Sequence, residues 1–387
     1  MNFVYLSPHF PPNFYNFCVQ LNKLGVNVFG IADAEYHDLR PELREVLTDY
    51  YKVNDMHNYD ELVRAMGFLT FKYGKIDRID SHNEYWLETE AKLRTDFNIP
   101  GTKNDEIESI KYKSKMKEVF VNNGIPAARG RVVHNENEAK ELIAQTGYPV
   151  IAKPDKGVGA ADTYKIKNDG ELKHFFEVKP GIDYIMEEFV DGEMCTFDGL
   201  TDRDGNLVFF TGHQYDKGIM EAVNNNDHVF YYSIREVPKD LEEIGRKMLK
   251  AFNVREKFFH FEFFKLRKDK KIVACEVNMR PPGGLTVDMF NFANDIDVYR
   301  EWANIIAHNR FDSHYSRPYH CCYIGRKEHK NYCHTNDDII QKFGDKIVHH
   351  EPINSIFSNA LGNYGYLVRS PKLEEIFEIA KYVHAVN

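Results

Sequence analysis

Four polar side chains with the chemistry of a metal and phosphate site lie on two strand-like segments, residues 259–264 and 272–280. Glu262 lies on the first segment, and Glu276, Asn278 and Arg280 occupy alternate positions on the second. Because side chains alternate across a strand, a hairpin of these segments would bring all four to one face. Mg²⁺ prefers such oxygen ligands and completes its shell with water and nucleotide phosphates. The segments therefore predict a magnesium and phosphate site; the alternative is an exposed hairpin with a polar face.

A lysine followed by a glycine-rich turn is a second candidate for phosphate binding. Lys153 ends the strand-like residues 149–153, and Gly157 and Gly159 lie in the turn that follows. A cation beside closely approaching backbone N–H groups suits a polyphosphate. The turn matches neither the P-loop pattern nor the glycine pattern of dinucleotide-binding folds. A plain hairpin turn remains the alternative.

An acidic hinge follows at residues 183–193. Glu187 and Glu188 interrupt an otherwise apolar strand that continues through Phe189 and Val190, and Glu193 lies just beyond it. Backbone groups of such a hinge can read adenine, and an acid just beyond can hold ribose hydroxyls. A sheet edge with acidic ends is the alternative.

The elements that must position these side chains begin with a repeating pattern in residues 1–100. Strand-like segments are predicted at 3–6, 26–31, 51–53 and 76–80, and helices at 13–24, 42–50, 59–73 and 84–97. This alternation predicts βαβ units with a mainly parallel sheet. Ligands of such sheets bind beyond the carboxyl ends of the strands, here at residues 7–11 and 81–84, although ordinary turn and cap residues explain these segments equally well.

The rest of the chain is mixed and becomes rich in strands after residue 184. Helices are predicted at 111–123, 136–145, 170–178, 240–252 and 298–308, and strands at 129–133, 163–166, 184–190, 194–201 and 207–214. Residues 157–162 and 213–226 are candidate lids over a site. The tail from 310 has short strand-like and helical pieces.

Composition limits the class of protein. The 387 residues, 43% of them hydrophobic and 14% aromatic, are enough for two to three domains with a large core. A net charge of −9 predicts no general affinity for nucleic acid. Six cysteines without CxxC spacing, no signal-peptide pattern at the N-terminus and no membrane-spanning apolar run predict a cytoplasmic protein that does not enter a membrane.

Taken in order, these segments resemble the ATP-grasp superfamily, in its branch similar to the carbamoyl phosphate synthetase large subunit and to L-amino acid ligases. Residues 113–117 with 124–126 resemble its opening lysine helix, and residues 151–154 its second nucleotide lysine. Residues 186–190 resemble its adenine hinge. The resemblance covers about the first 310 residues. One departure is that Gly192 and Glu193 are adjacent, where the family commonly has Gly-x-Glu.

The resemblance implies an α/β and α+β architecture in three parts. A Rossmann-like domain at 1–100 would precede a two-subdomain ATP-grasp domain at 101–310, with a nucleotide lid at about 112–185 and a C-terminal subdomain at 311–387. The nucleotide would be held by Lys113, Lys153, Gly157, Gly159, Glu187, Glu188, Phe189, Val190 and Glu193. The metal would be held by Glu262, Glu276 and Asn278, with Arg280 catalytic and Glu84, Gly283 and Gly284 on the substrate side.

The implied activity is ligation of a small-molecule carboxylate to an amine through an acyl phosphate. ATP and Mg²⁺ are the implied cofactors, and Mn²⁺ could replace Mg²⁺. Two alternatives stay open: an enzyme that phosphorylates bicarbonate, as a carboxylase or a carbamoyl-phosphate-forming enzyme does, and a catalytically silent nucleotide-binding regulator. Related enzymes are often homodimers, so a homodimer is also an expectation.

Overall fold

The computed structural model describes residues 1–157, 162–216 and 227–387. Gly159 and most of the candidate lid at 157–162 lie outside the described residues, as do positions 217–226 of the candidate lid at 213–226. The described start of that second segment is strand rather than lid, because His213 and Tyr215 belong to a strand at Leu207–Tyr215.

The N-terminal part is a parallel sheet with helices between its strands. Its strands are β1 (Asn2–Leu6), β2 (Asn27–Ala32), β3 (Asp49–Lys52) and β4 (Arg78–Asp80), in the order β3-β2-β1-β4. Its helices are α1 (Tyr15–Lys23), α2 (Pro41–Val46), α3 (Tyr59–Tyr73) and α4 (Leu87–Asp96). All strand pairs described here are parallel, which confirms the predicted βαβ pattern.

A small antiparallel sheet follows, with two helices packed into its apolar cluster. After α5 (Glu108–Lys111) and α6 (Lys113–Asn122), the sheet has strands β5 (Gly130–Val133), β6 (Val150–Pro154), β7 (Tyr164–Ile166) and β8 (Tyr184–Glu188), in the order β5-β8-β6-β7. Helices α7 (Glu136–Thr146) and α8 (Asp169–Val178) contribute Leu142 and Phe175 to the cluster behind this sheet. Lys153 and Glu187 are the next-to-last residues of the antiparallel strands β6 and β8.

The largest sheet is antiparallel and contains the predicted hairpin at one edge. Its strands are β9 (Gly192–Thr201), β10 (Leu207–Tyr215), β11 (Val229–Ser233), β12 (Phe258–Leu266), β13 (Ile272–Asn278), β14 (His320–Arg326), β15 (Ile347–Pro352) and β16 (Tyr364–Ser370). The order is β13-β12-β9-β10-β11-β14-β16-β15. The accompanying helices are α9 (Lys239–Ala251), α10 (Thr286–Asn294), α11 (Val298–His308), α12 (Asn336–Phe343), α13 (Ser358–Leu361) and α14 (Leu373–Val383).

The hairpin has a bulge that places Ala274 on the apolar face while Glu276 stays on the polar face. Glu262 is paired with Glu276, whereas the next residue of β12, Phe263, is paired with Ala274, so Cys275 is the extra residue of β13. Phe261, Phe263, Ala274 and Val277 all enter one apolar cluster with Met116 and Phe120 of α6. Glu276 and Asn278 therefore share the polar face of Glu262, as simple alternation predicted for them.

One local prediction was wrong, one strand was not predicted, and the tail joins the sheet of the hairpin. The helix predicted at 42–50 ends at Val46, because Asp49–Lys52 pairs with β2 as an edge strand. No strand was predicted at β11, although its aromatic run packs between β10 and β14. Strands β14, β15 and β16 of the tail continue the sheet that holds the hairpin, so the tail and the hairpin share one sheet.

Among the described residues, no helix has both the length and the apolar character needed to cross a membrane.

Candidate active site

The predicted metal ligands lie together on one face of the hairpin. Glu262 and Glu276 are directly opposite each other, and Asn278 is opposite His260. A cationic or donor group lies beside each of the three predicted ligand residues: Lys113 Nζ is 3.3 Å from Glu276 Oε1, His260 Nε2 is 3.3 Å from Glu262 Oε1, and Arg280 Nη2 is 3.1 Å from Asn278 Oδ1. Two adjacent carboxylates with an amide oxygen fit Mg²⁺, because this ion takes few protein oxygens and keeps positions open for water and phosphate.

A buried chain of polar groups, not predicted from the sequence, supports Glu262. Asp198 on β9 contacts two histidines, with 2.5 Å from its Oδ1 to His260 Nδ1 and 2.7 Å from its Oδ2 to His213 Nδ1. Burial alone would lower the pKa of His260, but Asp198 and Glu262 outweigh it and raise that pKa to about 9. Burial alone would raise the pKa of Glu262. The protonated His260, together with Arg280 and Lys153, outweighs burial, so the pKa of this carboxyl is lowered.

Arg280 is held in place by groups from two parts of the chain. Its Nε lies 3.3 Å from Glu84 Oε2, and its Nη1 donates to the carbonyl of Pro281 at 2.9 Å. Glu84 Oε1 in turn lies 2.8 Å from Lys111 Nζ, and the side chains of Glu84 and Lys111 are 8% and 4% exposed. Glu84 was predicted to face a substrate; the structure places its carboxylate between Lys111 and Arg280, where it orients the arginine.

Lys113 lies where α6 begins, beside the first residues of the glycine-rich turn. Its Nζ lies 3.5 Å from the carbonyl oxygen of Gly157. Asp155 anchors the turn to the helix, since its Oδ1 accepts from Ser114 N and its Oδ2 from Ser114 Oγ, both at 2.7 Å. The structure therefore brings Lys113 and Gly157 together and points Lys113 toward the metal carboxylates.

Lys153 and Glu187 are brought together by the pairing of β6 with β8. Lys153 Nζ lies 2.7 Å from Glu187 Oε2, and Lys117 Nζ of α6 lies 2.7 Å from Glu187 Oε1. Burial would raise the pKa of Glu187, but the two lysines outweigh it and lower that pKa to about 2. Lys117 was not singled out from the sequence, because it is one of four lysines within residues 111–117.

The remaining hinge residues have separate surroundings. Glu188 is paired with Arg129, whose Nη2 lies 2.6 Å from Glu188 Oε2. Phe189 lies against Lys165, whose Nζ is 3.7 Å from the ring centre, and its backbone N–H donates to the carbonyl of Pro149 at 3.3 Å. Val190 is half-buried after the end of β8.

Glu193, predicted to hold the ribose of the nucleotide, lies away from the face of Glu262. It precedes Met194 on β9, and alternation gives Met194, Thr196 and Asp198 the face of Glu262. Glu193 lies on the opposite face, its side chain is 41% exposed and its Oε1 lies 3.1 Å from Arg267 Nη1. The adjacency of Gly192 and Glu193 in the sequence explains this, because it shifts the acid by one position.

Gly283 and Gly284 form the turn between Arg280 and α10. Gly284 has a φ of +62°, which favours glycine, and its carbonyl accepts from Asn13 Nδ2 at 3.3 Å. Gly283 has no heavy atom within 4 Å of where a Cβ would lie, so the space beside it is open. The turn is thus close to Arg280 in the chain and is open at Gly283, whereas Leu361 lies close to Gly284.

Comparisons with known proteins find similar sequences and folds. Residues 146–288 match the family model of the ATP-grasp domain. A carbamoyl phosphate synthase large chain from Agathobacter rectalis is 26% identical over 231 residues, which are 56% of this chain and 20% of that protein. The L-arginine-specific L-amino acid ligase of Bacillus subtilis is 23% identical over 269 residues, which are 65% of this chain and 64% of the ligase. The chain thus covers about a fifth of the first relative and 64% of the second.

The fold has a close counterpart among solved structures. The crystal structure of an L-amino acid ligase from Bacillus licheniformis superimposes with a TM-score of 0.73 at 14% identity, covering 99% of this chain and 96% of that one. At such identity the likeness concerns the fold, and it extends over the N-terminal and C-terminal parts as well as the matched domain. Residues 146–288 of the chain thus match the ATP-grasp domain family, and the fold of the whole chain resembles that of an L-amino acid ligase.

Proposed function

We propose that this chain is an ATP-dependent ligase that joins a small-molecule carboxylate to an amine through an acyl phosphate. The observation that carries the proposal is the direct pairing of Glu262 with Glu276, with Asn278 on the same face and Lys113 and Arg280 beside it. A site of this kind suits a reaction whose reactants are all anionic. Phosphoryl transfer depends mainly on alignment and on neutralising charge, which these residues supply.

In the proposed reaction, a carboxylate oxygen attacks the γ-phosphorus of ATP and ADP leaves with the electron pair of the broken bond. The amine nitrogen then attacks the acyl carbon, phosphate leaves, and the nitrogen loses a proton to give the amide. Because an acyl phosphate hydrolyses readily, water has to be kept from the site between the two steps.

Each residue has a proposed task in these steps. Lys113 and Lys153 would bind nucleotide phosphates, and the planar fork of Arg280 suits a carboxylate or the transferring phosphoryl group. Mg²⁺ held by Glu262, Glu276 and Asn278 would neutralise charge on the β- and γ-phosphates, and Mn²⁺ accepts the same oxygen ligands.

The nucleotide base and the substrate would occupy neighbouring surfaces. We assign adenine to the backbone of the hinge at Glu188, Phe189 and Val190, with the lid at about 112–185 above it. A substrate carboxylate would reach the backbone N–H groups of Gly283 and Gly284 at the start of α10. Residues 1–100 would then form the preceding domain, 101–310 the ATP-grasp domain and 311–387 the C-terminal part.

An ADP-release assay with pooled amino acids and other small carboxylic acids tests the proposal. We expect ADP and phosphate to appear together with a product whose mass equals that of two substrates less one water. Mass spectrometry of the product then identifies both the carboxylate and the amine.

A bicarbonate-dependent reaction is the second candidate, favoured by the match to a carbamoyl phosphate synthase large chain. Labelled bicarbonate separates the two functions, because its incorporation into product would replace the ligase proposal with this one. Tight ATP binding without ADP release on any pool would instead indicate a regulator, and absence of nucleotide binding would reject all three functions.

A further inference from the structure

Two lysines from different elements share one buried carboxylate beside the proposed nucleotide site. Lys117 and Lys153 each lie 2.7 Å from one oxygen of Glu187. The exposed fractions of the three side chains are 12%, 13% and 10%. We propose that Lys117 is a positioning residue that keeps Glu187 neutralised, so that Lys153 can leave this carboxylate and bind a nucleotide phosphate. The inference rests on the proposed function, because it concerns how that nucleotide site accepts an anion.

The charges of this Lys117–Glu187–Lys153 cluster favour an additional anion. One carboxylate faces two ammonium groups, so the cluster holds one surplus positive charge in a poorly solvated place. A buried charge is stable only when a partner and hydrogen bonds compensate for the lost water. A nucleotide phosphate would supply that partner. The surplus exists only while Lys117 is present, since Glu187 and Lys153 alone form a neutral pair.

The geometry distinguishes the tasks of the two lysines. Lys117 Nζ also donates to the backbone carbonyl of Ala128, so it is fixed on two sides by the protein. Lys153 contacts Glu187 through its Nζ and lies on β6, which leads into the turn at Gly157 beside Lys113. Lys153 is therefore the lysine that can turn toward a nucleotide phosphate, whereas Lys117 remains bound to Glu187.

Glu187 has little freedom to follow Lys153. Gly130 is paired with it across β5 and β8, and a Cβ on Gly130 would lie 2.6 Å from Glu187 Cγ and 2.6 Å from the carbonyl oxygen of Met186. The backbone of β5 thus fits closely against the base of the Glu187 side chain. If Lys117 were absent, release of Lys153 would leave Glu187 buried without a cation, at a cost large enough to weaken phosphate binding.

The experiment compares phosphate-dependent with phosphate-independent binding. Dissociation constants are measured by calorimetry for a non-hydrolysable ATP analogue with Mg²⁺, and by competition for adenosine. In Lys117→Met we expect the analogue to bind about tenfold more weakly or worse, with adenosine changed by less than about twofold. Lys115→Met is the matched control, because Lys115 lies on the same helix, is 46% exposed and pairs with Glu118; both ligands should bind to it as to wild type.

Two further variants test the charge argument and guard against misfolding. Lys117→Arg keeps the cation and should restore most of the affinity for the analogue. The loss caused by Lys117→Met should shrink when Glu187→Gln is also present, because the charge that Lys117 neutralises is then gone. Thermal unfolding of each variant reports whether it folds. If Lys117→Met does not fold, Lys117→Arg and the double variant still test the charge argument.

Several outcomes would overturn the inference while leaving the proposed function intact. These are unchanged affinity for the analogue in Lys117→Met, an equal loss for adenosine, or an undiminished loss in the Glu187→Gln background. Failure of the wild-type protein to bind the analogue at all would instead reject the proposed function, and the inference with it.

Discussion

Glu262 and Glu276 are directly opposite each other on β12 and β13, and a basic side chain lies beside each of them. His260 Nε2 lies 3.3 Å from Glu262 Oε1, and Lys113 Nζ lies 3.3 Å from Glu276 Oε1. Two neighbouring carboxylates repel each other unless positive charge lies between or beside them. The protein thus places a separate positively charged group beside each carboxylate, and a divalent metal would bind the carboxylates in their ionised form.

Glu276→Gln should weaken Mg²⁺ binding and nearly abolish ADP formation. The amide keeps the shape of the side chain but removes the negative charge that faces Lys113 and would ligate the metal. We expect turnover to fall by about 100-fold or more, with a higher Mg²⁺ concentration needed for half-maximal activity. The measurement is ADP release over a Mg²⁺ titration. Glu141→Gln, at a glutamate 68% exposed on α7, is the control, and normal turnover of Glu276→Gln at ordinary Mg²⁺ would contradict the metal assignment.

The hairpin was predictable because its signal is local. Alternation of apolar and polar residues in 258–266 and in 276–280 predicts which side chains share a face, and the short charged turn between the strands predicts that they pair. The bulge at Cys275 was not predictable, because no turn or glycine signal in the sequence marks it; it brings Ala274 to the apolar face that Val277 also occupies. The parallel N-terminal sheet was predictable for the same reason as the hairpin, from short apolar runs separated by amphipathic ones.

The supporting residues were not predictable because their partners are distant in the chain. Asp198 contacts His260 across 62 positions, and Lys117 contacts Glu187 across 70. Each looks ordinary in its own segment: an acid in a strand, or a lysine in a basic helix. Their roles depend on the order β12-β9-β10 and on the approach of α6 to β8, which single-sequence patterns do not specify.

Glu193→Gln tests whether Glu193 binds the ribose, as the family pattern implies, or lies away from the nucleotide, as the geometry of this chain indicates. The structure places Glu193 beside Arg267 on the face opposite Glu262, so the variant should bind ATP with unchanged affinity. Calorimetric titration with a non-hydrolysable ATP analogue measures this directly. A loss of about tenfold or more would mean that Glu193 reaches the ribose after all, and that β9 changes its register when nucleotide binds.

Acid should destabilise the protein partly through Glu187. Its pKa in the folded protein is about 2, below the ordinary value of 4.5, because Lys153 and Lys117 outweigh burial. A carboxyl whose pKa is lowered by folding stabilises the protein above the unfolded pKa, and this contribution is lost as the pH falls from about 4.5 toward about 2. The contribution is about 3 kcal/mol at neutral pH.

Urea unfolding of wild type and Glu187→Gln between neutral pH and pH about 3 measures this contribution. Wild type should be the more stable at neutral pH, and the difference should narrow as the pH is lowered through the window below about 4.5. A difference that stays constant over this range would show that the two lysines do not hold Glu187 ionised.

Arg280→Lys tests whether the shape of the guanidinium, as well as its charge, is needed. Arg280 contacts Glu84, Asn278 and the carbonyl of Pro281 through three different nitrogens, an arrangement that one ammonium group cannot reproduce. We expect turnover to fall by about 10- to 100-fold while the affinity for ATP changes by less than about twofold, because the proposed function assigns nucleotide binding mainly to Lys113 and Lys153. Turnover from ADP release and affinity from calorimetry are compared with Arg310→Lys, at an arginine 65% exposed beyond α11. Equal turnover in Arg280→Lys and wild type would refute the role of Arg280, whereas an equal loss of ATP affinity would place it in nucleotide binding instead.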